Sequence, residues 1–500
     1  MQMVGAPDKA AAGAAANTVR KSLAISFAER YSALVLQFVS TVIIARLLTP
    51  AEIGVFSVAA VLTTLAHTLR DFGVGQYVIQ EKALTTERLR AAYGVAIASA
   101  WVVAAALAAL SAPAAWFYHA PGVGRVMRVF ALNFVLLPFG SVSLALWRRE
   151  MNFAAAYYIK ISGGLVQAAT SIALAFAGFS YMSLAWGAAA GIAVTVVAAH
   201  ILRPPNMPWL PAASGLRGVL SFGGMTSSAV LVKDLGAGAP DLILGRVLGM
   251  GPVGIYARAV GLVQLFERYV SSAVLGVMLP HLAAKQRGGE ALKEPYLRAL
   301  TMVTGIAWPF LGVLALQGDA AVRLLYGPQW GASVPVVKVL CAGAAVNVLS
   351  YFAGQALLAA GAPRTNMALQ FVVQPATVAF ELVAARFGLV PLALAASLGA
   401  LTGFFVSTRF LHRHIGLTFG DVGRATGRSA ALALFAMAGP AALSLVQEGS
   451  GTNVAGPFAL AILGAAMGWG IGLFALSHPL KSEVLPVVTR LRRLTRLSGT

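Results

Sequence analysis

The chain has 500 residues, of which 58% are hydrophobic and 11% charged, and its mean hydropathy is +0.79. Soluble domains carry about 25% charged residues, and a soluble chain this apolar would expose large hydrophobic patches to water, so the composition excludes an ordinary soluble protein. The net charge of +20 is typical of a nucleic-acid-binding protein or of a membrane protein with basic cytoplasmic loops, and the order of the elements decides between them.

Residues 1–21 are predicted to form a cytoplasmic tail, because they are rich in Ala and Gly and end in Arg20-Lys21. The apolar stretch that follows is about 25 residues long, whereas the apolar region of a signal peptide has about 7–15. It also contains Glu29 and Arg30. We therefore expect this stretch to remain in the protein as its first membrane span.

Fourteen segments are long and apolar enough to cross a membrane, which takes about 20 residues. They are residues 22–45, 53–78, 91–112, 126–147, 153–177, 180–202, 219–244, 253–280, 299–317, 333–358, 366–386, 389–411, 429–447 and 454–477. The shortest predicted turn between two of them is Arg386-Phe387-Gly388.

The distribution of Lys and Arg predicts the topology. With the N-terminus in the cytoplasm, most of these residues fall in cytoplasmic connections, as the positive-inside rule expects; examples are Arg148-Arg149 and the basic residues from Lys481 to Arg496. An odd number of spans would place the basic C-terminal segment outside the cytoplasm, against this rule. Both termini are therefore predicted to be cytoplasmic. The loops account for the positive charge without nucleic acid, and no connection is long enough for a soluble domain.

An internal repeat relates residues 45–62 to residues 245–262. The two segments align without a gap at an offset of 200 residues and share five identities, including Arg46 with Arg246 and Gly54 with Gly254. The copies lie six spans apart, and because six is even they have the same orientation. This pattern predicts two six-helix lobes in a parallel repeat, a recurrent plan among secondary transporters; the alternative is chance similarity between two apolar stretches.

The spans and the repeat together predict an all-α polytopic membrane protein with two extra helices after the second lobe. The predicted domains are a tail (1–21), an N-lobe (22–202), a cytoplasmic linker (203–218), a C-lobe (219–411), a loop with helices 13 and 14 (412–477) and a basic cytoplasmic tail (478–500).

Ionisable residues occur inside the predicted spans, where each costs about 2.5–3.5 kcal/mol at the centre of the bilayer. They are Glu29, Arg30, His67, Arg70, Asp71, Lys160, Lys233, Asp234, Asp241, Arg258, Glu267, Arg268 and Glu381. Most lie in spans one, two, seven and eight, which favours a charged cavity lined by the first two helices of each lobe. The alternative is structural, since adjacent acids and bases can neutralise each other or extend to the membrane surface.

The charge types suggest two roles for these residues. Arg and Lys suit an anionic head group such as a diphosphate, and the candidate binding cations are Arg30, Arg70, Lys233 and Arg268. Buried carboxylates suit coupling to H⁺ or Na⁺, and the candidates are Glu29, Asp71, Asp234 and Glu267. The sequence has no Walker A motif and no catalytic or metal-binding constellation, so we predict no cofactor and no enzymatic activity.

Several stretches resemble the polysaccharide transporter family of the multidrug/oligosaccharidyl-lipid/polysaccharide exporter superfamily. The resemblance covers roughly residues 20–415. The stretches are IIARLLTPAEIGVFSVAAVL (43–62), DFGVGQYVIQ (71–80), DLILGRVLGMGPVGIYARA (241–259), LLYGPQW (324–330) and ALLAAGAPR (356–364).

The resemblance implies a Wzx-like flippase of the bacterial cytoplasmic membrane. Such proteins move oligosaccharide units linked to undecaprenyl diphosphate from the cytoplasmic to the periplasmic leaflet, for lipopolysaccharide, capsule or exopolysaccharide. The implied mechanism is alternating access with ion antiport, and the implied partners are the lipid-linked glycan, membrane lipids and a glycan polymerase or export machinery. Cavity charges vary within the family, so its binding residues do not carry over individually.

Two alternatives remain open at this stage. An exporter of small cationic drugs would have the same architecture, but it would favour an acidic cavity with aromatic walls. A membrane glycan polymerase or ligase would be an enzyme with a large periplasmic segment, which the short connections do not provide.

Overall fold

The computed structural model describes residues 31–71, 74–81, 83–208, 210–212, 216–268, 272–446 and 454–483. Within these ranges the chain forms α-helices and short 3-10 turns, and no β-strand. Glu29 and Arg30 lie outside the described residues. The chain divides into two compact units, Met1–Leu235 and Gly236–Thr500.

The N-terminal unit contains eight helices and the first part of a ninth. They are α1 (Tyr31–Leu47), α2 (Pro50–Asp71), α3 (Val74–Gln80), α4 (Thr86–Phe117), α5 (Pro121–Leu136), α6 (Pro138–Arg149), α7 (Phe153–Phe176), α8 (Met182–Ile201) and α9 (Leu216–Val247). The division between the units falls within α9, after the predicted linker 203–218, which stays a prediction.

The C-terminal unit contains the rest of α9 and ten further helices. They are α10 (Met250–Val263), α11 (Ser272–Arg287), α12 (Lys293–Leu316), α13 (Gly318–Leu325), α14 (Val334–Asn347), α15 (Ala353–Ala359), α16 (Pro363–Ala384), α17 (Leu389–Ile415), α18 (Phe419–Val446) and α19 (Ala455–Ala475).

Within the described ranges the predicted spans fall on helices, and residues 22–30 of the first predicted span lie outside those ranges. Nine of the helices in the described ranges are long and apolar enough to cross a membrane, and α5 with α6, which meet at a bend of 52°, make a tenth. Pro138 begins α6 at that bend, because proline has no N–H to continue the ladder of hydrogen bonds. The all-helical membrane fold is thus confirmed, and the count of fourteen spans is consistent with it.

The two hairpins of the repeat have matching limits. Helix α1 ends at Leu47 and α2 begins at Pro50, whereas α9 ends at Val247 and α10 begins at Met250, so the offset of 200 residues holds at both ends of the turn. In the first hairpin the Thr49 N–H and hydroxyl donate to Glu52 Oε2 at 2.7 and 2.8 Å, a capping box. The second turn instead uses Gly249 at φ 89°, which glycine adopts without strain.

The last two helices are held to α12 by buried polar contacts. Thr304 Oγ1 on α12 donates to Ser429 Oγ on α18 at 2.9 Å, and Ser429 Oγ lies 3.1 Å from Nε2 of His478, which follows α19. The Leu480 N–H donates to the other ring nitrogen, Nδ1, at 3.2 Å. Neutral histidine therefore carries its proton on Nε2 and donates it to Ser429, so these helices are a fixed part of the C-terminal unit.

Candidate functional site

A cationic cavity of about 320 Å³ lies in the N-terminal unit. Its walls come from α2, α3, α4, α6 and α7, and its charged lining residues are Arg70, Arg148 and Lys160. None of the described lining residues is acidic. The volume is at the lower end of the range of ligand pockets, so the cavity can take a charged head group but not a whole lipid-linked glycan.

The apolar wall of the cavity is fixed by a hydrophobic cluster. Val74 and Val78 of α3 pack with Val142, Ala145 and Leu146 of α6, and all five side chains are buried. Except for Leu146, each of these residues also lines the cavity. The cations therefore lie beside a buried apolar cluster that forms part of the cavity wall.

The three cations differ in their exposure. Arg70 on α2 is half-buried, whereas Arg148 at the end of α6 and Lys160 on α7 are exposed. Arginine offers a planar fork of N–H donors to phosphate, and lysine offers a point charge. The arrangement can bind an anion with more than one charged oxygen.

The predicted binding cations do not all meet in this cavity. Arg70 lines it, and Asp71 is the last residue of α2. Lys233 on α9 and Arg268 after α10 are exposed, and Arg268 donates to Gln264 Oε1 at 3.2 Å. Their role as binding cations stays a prediction.

The predicted coupling carboxylates are also dispersed. Asp234 on α9 accepts a hydrogen bond of 2.6 Å from Thr68 Oγ1 on α2, which ties the first part of α9 into the N-terminal unit. Glu267, after α10, is exposed. Their role in coupling likewise stays a prediction.

Arg148 and Lys160 are cavity residues that were not among the predicted site residues. The predicted span ends at residue 147, which puts Arg148 in a cytoplasmic connection, whereas α6 continues to Arg149. Lys160 is one of the ionisable residues inside the predicted spans. The useful signal was their common position near the predicted cytoplasmic ends of neighbouring spans.

A pair of carboxylates lies in the C-terminal unit. Glu381 on α16 is only 2% exposed, and its Oε2 has no hydrogen-bond partner among the residues that the structure describes. Asp241 on α9 lies within electrostatic range of it, and Tyr256 on α10 lies within range of both. Two carboxylates that share a buried site favour the uptake of a cation or a proton.

Each of the two helices that carry this pair contains a proline. Pro240 lies within α9 and Pro375 within α16. Because proline lacks an N–H, the carbonyls of Gly236 and Phe371 have no helical donor four residues further on. Asp241 and Glu381 were predicted separately as ionisable residues inside spans, and their pairing was not predicted because they lie 140 residues apart.

The segment between α13 and α14 in the same unit is anchored by Arg258, a half-buried arginine of α10. The Arg258 guanidinium lies 5.7 Å from the ring centre of Tyr326 and 5.6 Å from that of Trp330, and Trp330 is fully buried. Such cation–π contacts contribute about 2 kcal/mol when desolvated. The Tyr-Gly-X-X-Trp stretch of the sequence thus serves to fix the loop on α10.

Comparison with known proteins places these features in a family. A family model described as "Polysaccharide biosynthesis protein" matches residues 43–335. The chain is 26% identical to the lipopolysaccharide biosynthesis protein WzxC of Escherichia coli K12, over 61% of this chain and 63% of WzxC, just under two thirds of that protein's length. It is 26% identical to the succinoglycan biosynthesis transport protein ExoT of Rhizobium meliloti, over 65% of this chain and 66% of ExoT.

The fold is similar to those of two solved transporters. The lipid II flippase MurJ in an inward closed conformation has a TM-score of 0.73 at 12% identity, over 90% of this chain and 98% of MurJ. An inward-facing multidrug resistance MATE family transporter has a TM-score of 0.55 at 13% identity, over 77% of this chain and 96% of the transporter. At these identities the likeness concerns the fold.

Proposed function

The chain belongs to the family of polysaccharide biosynthesis proteins, whose model matches more than half of its length, and on this premise we propose that it is a flippase for an oligosaccharide linked to undecaprenyl diphosphate. WzxC and ExoT, by their names, serve lipopolysaccharide and succinoglycan biosynthesis. The protein would work in the bacterial cytoplasmic membrane with both termini in the cytoplasm. We also propose that it acts together with a glycan polymerase or export machinery.

The observation that carries the proposal is the cavity with three cations and no described acidic lining residue. Arg70, Arg148 and Lys160 would receive the diphosphate, the part of the substrate that the bilayer excludes most strongly. The lipid tail would stay in the bilayer while the head group crosses. A cationic drug would be repelled by the same cavity, so the drug-exporter alternative is disfavoured.

Coupling to an ion gradient would use the C-terminal unit. We place it at Asp241 and Glu381, because Glu381 combines burial with an oxygen atom that lacks a described partner. A cation or a proton bound there would neutralise the pair, and its release would restore a charge in the membrane interior. The occupied and the empty pair would thus differ in free energy, and an alternating-access cycle requires such a difference at its coupling site.

The test is surface glycan in cells that depend on this protein. The double variant Arg70→Gln, Lys160→Gln is expected to lose surface glycan and to accumulate the lipid-linked oligosaccharide, with normal protein in the membrane. The matched control is Arg128→Gln, a cation of the same unit that is not among the cavity residues. Normal glycan in the double variant would overturn the assignment of the cavity. The variant Lys233→Gln examines the cation predicted on α9 in the same assay.

A further inference from the structure

Helix α3 is the cavity wall that depends most on contacts from other helices. It has 7 residues, and isolated helices shorter than about 12–15 residues are marginal in water. Its position must therefore be set by its neighbours.

The carbonyl end of α3 is bound by an arginine from α6. The last carbonyls of a helix have no donors within it. The Glu81 N–H donates to the Tyr77 carbonyl at 2.9 Å, whereas the Ala83 N–H turns to Glu81 Oε1 at 3.3 Å. The carbonyls of Val78 and Ile79 accept from Arg149 Nη1 at 2.8 and 3.2 Å.

Two consecutive arginines of α6 thus face different partners. Arg148 lines the cavity. Arg149 binds the backbone carbonyls of Val78 and Ile79, which are also lining residues. A cation at the C-terminal end of a helix is also favoured by the helix dipole. Val78 and Ile79 therefore both line the cavity and supply the carbonyls that Arg149 binds.

We infer that Arg149 is a positioning residue for the anion site. By holding the carbonyls of Val78 and Ile79 it fixes α3 relative to Arg148 and Lys160, and so sets the width of the cavity that receives the phosphate groups. The inference rests on the proposed function for the identity of the ligand, but the role of Arg149 in placing α3 can be measured without a ligand.

The first measurement is the reactivity of a single cysteine in the wall. The described chain has one cysteine, the buried Cys341, so the background is Cys341→Ala. The reporter is Gly75→Cys, at a cavity residue where an added Cβ meets nothing within 4 Å. Its labelling is followed with a neutral maleimide and with an anionic thiosulfonate.

The expected rates separate the two arginines. Arg149→Ala changes the rate by about threefold or more with both reagents, because α3 moves when its hydrogen bonds are lost. Arg149→Lys, which can still donate to one carbonyl, gives an intermediate rate. Arg148→Ala slows the anionic reagent alone, because it removes a charge and leaves α3 in place.

The second measurement is the affinity of purified, monodisperse protein for inorganic pyrophosphate. Arg149→Ala is expected to weaken binding about tenfold, or about 1.4 kcal/mol, and Arg149→Lys to recover most of it. A merely structural role would lower the melting temperature and leave the affinity of the folded protein unchanged. Unchanged affinity together with unchanged maleimide labelling in Arg149→Ala would overturn the inference.

The outcomes also separate this inference from the proposed function. If the unaltered protein fails to bind pyrophosphate, the anion site fails, while the maleimide rates still decide the role of Arg149. If Arg149→Ala does not fold, the Arg149→Lys rates decide it, and a rate equal to that of unaltered Arg149 would refute the positioning role.

Discussion

Replacing Glu381 with glutamine is expected to stabilise the protein in buffer without Na⁺ and to abolish its stabilisation by a coupling cation. The Glu381 side chain is 2% exposed and its Oε2 has no hydrogen-bond partner in the described parts of the chain. Glutamine has nearly the same shape and carries no charge. The change Glu381→Gln therefore removes the repulsion between the two carboxylates and keeps the packing.

The magnitude follows from the burial of this oxygen. A buried acceptor without a partner costs about 1–3 kcal/mol, so the variant should gain about 1 kcal/mol or more in unfolding free energy when no cation is bound. A cation present at about 100 times its Kd stabilises the native state by about 2.7 kcal/mol. The wild type should gain this increment, and Glu381→Gln should lose it.

The assay is thermal unfolding of the purified protein at constant ionic strength, with choline replaced stepwise by Na⁺. A second series changes pH at fixed Na⁺ and detects coupling to protons. The control is Asp421→Asn: Asp421 is also buried, at 8% exposed, but is paired with Lys293 at 2.6 Å and Arg424 at 2.8 Å. This control is expected to be less stable and to keep the cation response.

Two results would refute the reasoning. Equal responses to Na⁺ and to pH in the wild type and in Glu381→Gln would show that the pair is not the coupling site. A loss of stability of Glu381→Gln in Na⁺-free buffer would show that the carboxylate has stabilising partners, contrary to the argument from its burial.

Two further predictions concern stability. Burial, and then the charge of Arg428, lower the pKa of His478 below its ordinary 6.5. Near that pH the unfolded chain therefore binds more protons than the folded protein. The contribution of His478 to the free energy of unfolding should be complete above about pH 6.5 and should fall as the pH drops below it. His478→Gln should flatten this dependence in thermal unfolding. An added Cβ in Gly94→Ala would collide with the Ala212 carbonyl, so the chain near residue 212 should become more sensitive to protease. Gly261→Ala, with nothing within 4 Å, should leave that sensitivity unchanged, and normal protection in Gly94→Ala would contradict the packing argument.

The helices could be predicted from the sequence because their signals are local. Hydropathy predicted the all-helical membrane fold. The short turn at Arg386-Phe387-Gly388 agrees with the structure, in which α16 ends at Ala384, α17 begins at Leu389 and Gly388 has φ 113°. The bend between α5 and α6 was not predicted, because an apolar run that contains a bend has the same hydropathy as one straight span.

The sites could be predicted only in part, because they depend on which helices are neighbours. Arg70 was identified by its charge inside a span, and it does line a cavity. Asp241 and Glu381 come within electrostatic range of each other because α9 contacts α16, where an added Cβ on Gly236 would lie 2.9 Å from Gln374 Cδ. Hydrophobic periodicity within each helix carries no information about such a contact.

The two matching hairpins have different turn chemistry and the same helix ends. One turn is closed by the side chains of Thr49 and Glu52, and the other by the backbone freedom of Gly249, yet the helices on either side keep the same limits. Substitutions can thus exchange one closing chemistry for another without altering helix length. In the predicted repeat the two segments share the positions of their helix ends, so an alignment of the two halves should weight those ends above residue identity.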